Sequence, residues 1–175
     1  MLPMPKIITI LIFLLLITGC QNNTTPVKSF KGTTFSEQGI RFDCPIGWEL
    51  SETKKILETE FMVICEKTGE GESGLAIFKW TKSKMTALDL LNSLKDSYAE
   101  TYKQKHNVEI DYGWTSKKKL KVSFDFNAQS IKHQGKIITK QCPEHVIGII
   151  LQETKTDNDK YEKAFNNIEN SFACK

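Results

Sequence analysis

Residues 120–152 read LKVSFDFNAQSIKHQGKIITKQCPEHVIGIILQ, and this stretch decides the fold class. Leu120, Val122, Phe124 and Phe126 alternate with Lys121, Ser123 and Asp125. Successive side chains of a strand point to opposite faces, so the alternation predicts a strand with one buried and one solvated side. Two more apolar runs follow, Lys136 to Cys142 and His145 to Gln152, rich in the β-branched residues that suit a pleated surface. Gln134-Gly135 and Pro143-Glu144 are the turns expected between them. Connections this short join antiparallel neighbours, because parallel strands need a crossover of about a dozen residues or more.

Outward from this stretch, Val108 to Trp114 reads as another strand, and a helix is predicted before it. Thr86-Ala87-Leu88-Asp89 supplies a capping threonine with an acid in the first turn, and Leu91, Leu94, Tyr98 and Tyr102 then form one apolar stripe. Further toward the N-terminus, short strands are expected at Phe30–Phe35, Ile40–Cys44, Phe61–Cys65 and Leu75–Trp80. The turn Ser36–Gly39, Pro45 and the loop Gly69–Gly74 punctuate them. A last helix is predicted from about Asp159 to Asn170, with Tyr161, Phe165 and Ile168 facing inward. The order (strands, helix, an antiparallel run of strands, helix) defines an α+β fold, a central antiparallel sheet flanked by helices.

Gly39-Ile40-Arg41-Phe42-Asp43-Cys44-Pro45-Ile46-Gly47-Trp48 resembles the strand and Pro-x-Gly-Trp opening of PsbP-like domains, which include DcrB-like bacterial envelope proteins. Such domains often end in a helix followed by Ser-Phe, as residues 165–172 do with Ser171-Phe172. The resemblance extends from about Phe30 to Phe172 and implies an α/β/α sandwich of adaptor or accessory character, with no shared catalytic set. The chain departs from the pattern at Cys44, where a large residue is common. Physically, Pro45-Ile46-Gly47-Trp48 is read as structural: proline ends a strand, glycine permits the turn, and tryptophan covers the edge of the core.

The first twenty residues address compartment. Lys6, the apolar run Ile7–Ile17 and the exit Thr18-Gly19-Cys20 form a secretory signal, too short to span a bilayer that needs about 20 apolar residues. Ile17-Thr18-Gly19-Cys20 resembles the lipobox of bacterial lipoproteins, which implies lipid on Cys20 and cleavage after Gly19. Residues 1–19 are thus expected to be a signal peptide, residues 20–29 a lipidated flexible tether and residues 30–175 one α+β domain. The expected location is the cell envelope on the non-cytoplasmic side. With Gln21 rather than aspartate after the acceptor, the periplasmic face of the outer membrane is favoured where two membranes exist.

Lys6 is the only charged residue among the first nineteen, so the 24 basic side chains fall to 23 against 21 acidic ones. That balance argues against nucleic acid as a partner. Lys117-Lys118-Lys119 with Lys121 is the densest basic spot and reads as a solvated turn and strand face. Beyond Cys20, the cysteines Cys44, Cys65, Cys142 and Cys174 make an even set in an exported chain, which suggests two disulfides with three possible connectivities. Successive strands favour Cys44–Cys65, and a tail beside the strand bearing Cys142 favours Cys142–Cys174.

Catalytic signals are few. Cys142-Pro143-Glu144-His145 has a ligand-like spacing, but an exported cysteine more often forms a disulfide, so no metal and no other cofactor is expected. The remaining histidines, His106 and His133, suggest no constellation. Asp157-Asn158-Asp159 fits helix capping better than a Ca²⁺ loop, and Trp80, Trp114 and Tyr112 fit packing better than a ligand surface. No phosphate loop, nucleophile elbow or zinc-protease helix occurs. The expectation is a non-catalytic, lipid-anchored module for an envelope protein partner. The alternative is a carrier of a small apolar or cell-wall-derived ligand, with an enzyme the most distant reading.

Overall fold

The structure is a computed structural model describing residues 28–31, 34–57, 60–70, 72–82, 84–157 and 160–175. Along the chain lie β1 (Lys28–Lys31), β2 (Thr34–Glu37), β3 (Ile40–Asp43), β4 (Glu49–Leu57), β5 (Glu60–Glu66) and β6 (Leu75–Thr81). Then follow α1 (Ala87–His106), β7 (Asp111–Ser116), β8 (Lys121–Ala128), β9 (Ile131–Gln141), β10 (Val146–Thr154), α2 (Glu162–Ser171) and β11 (Ala173–Cys174). Eight strands form one sheet in the order β1-β4-β5-β6-β10-β9-β8-β7, and three form a second, β11-β3-β2. Every neighbouring pair is antiparallel. The long link from mid-sheet β6 to edge strand β7 is α1, and the meander β7-β8-β9-β10 then returns to β6.

α1 starts where its sequence says it should. Thr86 Oγ1 accepts from the Asp89 amide at 3.1 Å, and the Asp89 carboxylate accepts from the Thr86 amide at 3.1 Å, which satisfies two otherwise orphaned donors. Leu90, Leu91 and Leu94 bury against Val122, Phe124, Phe126, Ile137, Val146 and Ile150, with Tyr98 and Tyr102 at the rim. Each buried leucine contributes about 1.5–3 kcal/mol. Gly148 lets the helix lie this close: a Cβ there would stand 2.2 Å from Leu94 Cδ1.

The other sheet face carries a mixed layer, the small sheet together with α2. Phe42 of β3 stacks on Phe78 of β6 at 3.6 Å between centroids, and Phe35 meets Trp80 edge-on. The Pro-x-Gly-Trp segment is structural, as its chemistry suggests. The Trp48 amide donates to Pro45 O at 3.0 Å across a turn whose Gly47 has φ +79°, and the indole packs edge-on against Tyr161 and Phe165 of the α2 region. The Ser-Phe ending has a physical reason too. Ser171 Oγ accepts from the Asp43 amide, and Phe172, turning extended, hands the chain to β11, which pairs with β3.

Several expectations are corrected. The predicted strand Phe30–Phe35 is two strands in different sheets, and β1 begins at Lys28, inside the expected tether. Glu49–Leu57, too polar to show an apolar alternation, forms the long strand β4. Gln134-Gly135 is not a turn: β9 runs unbroken through it, and the reversal falls at Gln129-Ser130, both with positive φ. Leu120 is not a strand residue but closes the turn before β8 at φ 45°, while still packing on the α1 core. Residues 1–27, with Cys20, and Asn158-Asp159 lie outside the described residues.

Candidate functional site

The two disulfides fix the small sheet to the large one. Cys44, just after β3, is bonded to Cys65 of β5, and Cys142, just after β9, is bonded to Cys174 of β11. Both bonds tie the second layer to the first, and the predicted connectivity is the observed one. Oxidation also settles the Cys142/His145 spacing, because a disulfide sulfur is neither a nucleophile nor a thiolate ligand. Among the described residues no group of three or more His, Cys, Asp and Glu is placed to hold a metal.

The other sequence candidates are scattered. His145, 4% exposed, sits in the β9–β10 turn with its Nε2 unpartnered, and a Cβ on Gly39 would meet its ring at 3.0 Å. Burial first, and then the charge of Lys82, hold its pKa below the ordinary histidine value against the opposing Glu144. His133 lies on the α1 side, stacked on Phe126 at 4.8 Å and 3.3 Å from Gln152 Nε2, with its pKa lowered by burial and by His106. Trp80 is in the core, whereas Trp114 is 47% exposed on the edge strand. Tyr112 donates to Lys95 O, and burial pushes its hydroxyl up to about 12. The three aromatics form no common surface.

The feature that sequence reading missed is the uncovered part of the sheet. On the α2 side, β7 is largely exposed and the residues of β8 and β9 are only partly covered. Strand alternation puts Lys121, Ser123 and Asp125 of β8, opposite the buried Val122, Phe124 and Phe126, on this open face. Cross-strand pairing adds Gln134 and Lys136 of β9, while Ile138 on the same side is already buried under the second layer.

Two clefts of about 550 and 600 Å³ run between this face and α2. Asp111, Asp125, Glu153 and Glu162 line the first against one lysine, Lys136. The second reverses the sign, with Lys118, Lys119, Lys121 and Lys140 around Glu169.

α2 is held on this face by specific polar contacts. Lys121 Nζ donates to both Glu169 oxygens at 2.8 and 2.9 Å, with both side chains largely shielded. Buried Glu153 accepts from Gln134 Nε2 at 3.0 Å and from the Tyr161 amide at 3.3 Å, so it serves the N-terminal end of α2, where negative charge is favoured. Tyr161 OH donates to Glu72, and Lys160 pairs with the same carboxylate at 3.0 Å. These contacts, the tyrosine first, lower the Glu72 pKa and pin α2 to the β5–β6 hairpin. Lys140 lies 4.6 Å over the Phe172 ring. Burial lowers its pKa, with Lys119 acting in the same direction and Glu169 against it. The arrangement presents charged groups of both signs beside α2.

Fold and site together define a PsbP-like α+β sandwich: one helix on one face of an antiparallel sheet, and a helix with a small sheet on the other. The solution structure of cyanobacterial PsbP (CyanoP) from Synechocystis sp. PCC 6803 is similar to it at a TM-score of 0.55, covering 85% of this chain and 92% of that one at 12% identity. Identity that low shows the fold alone. No family model matches the sequence, and no curated protein matches it.

Proposed function

We propose that this protein is a non-catalytic accessory module, lipid-anchored through Cys20 on the non-cytoplasmic side of a membrane, that docks an envelope protein partner on the open β7–β9 face. The observation that carries the reading is that face: a sheet surface left uncovered by its own second layer, edged by α2, with carboxylates at one end and lysines at the other. Paired disulfides between layers suit an oxidising compartment and keep the face rigid, which lowers the entropy cost of docking. A carrier of apolar ligands is less well supported, because Phe42, Phe78, Trp80, Trp48 and Phe165 fill the interior and the clefts are lined by charge. The role is argued from this face and not from the fold resemblance, since fold alone does not assign function.

Charge reversal tests the docking. Asp125 is half-exposed and Glu162 exposed, so Asp125→Lys with Glu162→Lys inverts the acidic cleft without entering the core. The expected outcome is loss of the complex trapped by chemical crosslinking in intact cells, with the melting temperature lowered by at most about 4 °C because Glu162 lies in the first turn of α2. A complex recovered undiminished from the folded variant contradicts the proposal.

A further inference from the structure

The large sheet has two ends, and the chain joins it from one of them. β1 runs from Lys28, opposite Glu52, to Lys31, opposite Glu49, so residues 1–27 enter from the end that holds the β4–β5 hairpin. Following the registers across the sheet, that same end holds the close of β6 at Thr81, the β9–β10 turn and the β7–β8 turn. The N-terminus of α1 also lies there, since Thr139 Oγ1 donates to Ala87 O. Among the described residues, the exposed lysines of this end are Lys82, Lys84, Lys117, Lys118, Lys119 and Lys175, against the exposed carboxylates Glu37 and Glu144. Asp89, the other acid nearby, is engaged in the capping box.

We infer that this end of the sheet is a second membrane contact, in which the lysine turn Lys117–Lys119 docks electrostatically on the anionic headgroups of the bilayer that holds the anchor. The inference rests on the anchored reading above for its geometry. Seven strand spacings of about 4.8 Å separate β1 from β7, so the entry point and the lysine turn stand about 34 Å apart at opposite edges of the sheet. The eight residues from Cys20 to Lys28 reach at most about 28 Å, so an anchored chain keeps the entry point of β1 within that distance of the bilayer. Lipid at one edge and lysines at the other give two separated contacts with the surface, and the acidic end of the β7–β9 face, lined by Asp111, Asp125 and Glu162, lies away from the lysine turn and is left for the partner. Positive charge matches an anionic leaflet, and each lysine that reaches it raises partitioning about fivefold. The contact acts only within a Debye length of about 8 Å, so salt weakens it.

Lysine footprinting on the full chain tests this. The protein is extracted from membranes, checked by intact mass for lipid on Cys20, and reconstituted into vesicles of phosphatidylcholine with or without phosphatidylglycerol. Lysines are then acetylated briefly and mapped. The expected result is labelling of Lys117, Lys118 and Lys119 slowed several-fold on anionic vesicles only, and restored by high salt. Lys103 and Lys105, in the last turn of α1 at the far end, stay unchanged and serve as the internal control. Equal labelling of the turn on both vesicle types overturns the inference, and protection by inorganic phosphate without vesicles reassigns the lysines to a soluble anion. A mass without lipid sinks the anchored reading instead. The footprint on added anionic vesicles then still decides the electrostatic contact by the same criteria.

Discussion

Replacing Gly135 by alanine separates a turn from a strand at the centre of the sheet. A Cβ built there stands 2.2 Å from the Leu151 carbonyl oxygen and 2.5 Å from Phe124 Cζ. Non-bonded heavy atoms prefer about 3.5–4.0 Å, so one or both neighbours must retreat by about 1 Å. Phe124 pairs with Gly135 across β8–β9 and is buried by Tyr98, Tyr112 and Phe126, so its ring has little room to yield. The Leu151 carbonyl is backbone of β10, paired along the length of β9, and moving it opens the central ladder. Overpacking costs about 1–3 kcal/mol when side chains adjust, and a backbone obstacle places Gly135→Ala near about 3 kcal/mol. For a chain of this size that lowers the melting temperature by about 6–12 °C. The control is Gly113→Ala on β7, where the added carbon meets only the Ser123 hydroxyl at 3.2 Å and the expected change is within about 0.5 kcal/mol. Thermal unfolding of both variants, disulfides intact, reads the difference. Equal melting temperatures would refute the placement of Gly135 inside a strand.

Intact mass with and without reduction should show four thiols that alkylate only after reduction. Breaking the 21- and 32-residue separations of the two disulfides should cost about 3.3 and 3.7 kcal/mol in the chain-entropy model, read as a lower urea midpoint for Cys44→Ala/Cys65→Ala and for Cys142→Ala/Cys174→Ala. Thr86→Ala should cost about 1 kcal/mol by removing the α1 cap, and Thr86→Ser should restore most of it. His145 and His133 have folded pKa values below the unfolded value of about 6.5, so below that pH the unfolded chain binds more protons and stability declines. Unfolding followed from about pH 7.5 to about pH 5.5 should show a decline that His133→Gln/His145→Gln reduces.

The sequence revealed what is written in local chemistry. The Thr86–Asp89 box, the Leu91/Leu94/Tyr98/Tyr102 stripe and the alternation of Val122, Phe124 and Phe126 each follow from short-range physics, and each appears in the structure. Strand β4 escaped because the sequence Glu49–Leu57 carries no apolar alternation, and its pairing with β1 and β5 is what defines it. Gly135 looked like a turn because glycine suits both reversal and close approach, and only the Leu151 backbone and the Phe124 ring tell which applies. The open face could not be read at all. Lys121, Asp125, Lys136 and Glu162 are ordinary solvated residues in sequence, and only the fold brings them to the two clefts beside α2. No local pattern encodes where a layer ends.

The central claim is that β7–β9 beside α2 is the docking face. Photocrosslinking amino acids placed one at a time at Ser123 and Gln134 on that face, and at exposed Asn92 on α1 across the sheet, test it in intact cells. One discrete adduct of the same mass is expected from Ser123 and Gln134 and none from Asn92. Adducts from Asn92 alone, or none from either face position in a folded and exported protein, would contradict it.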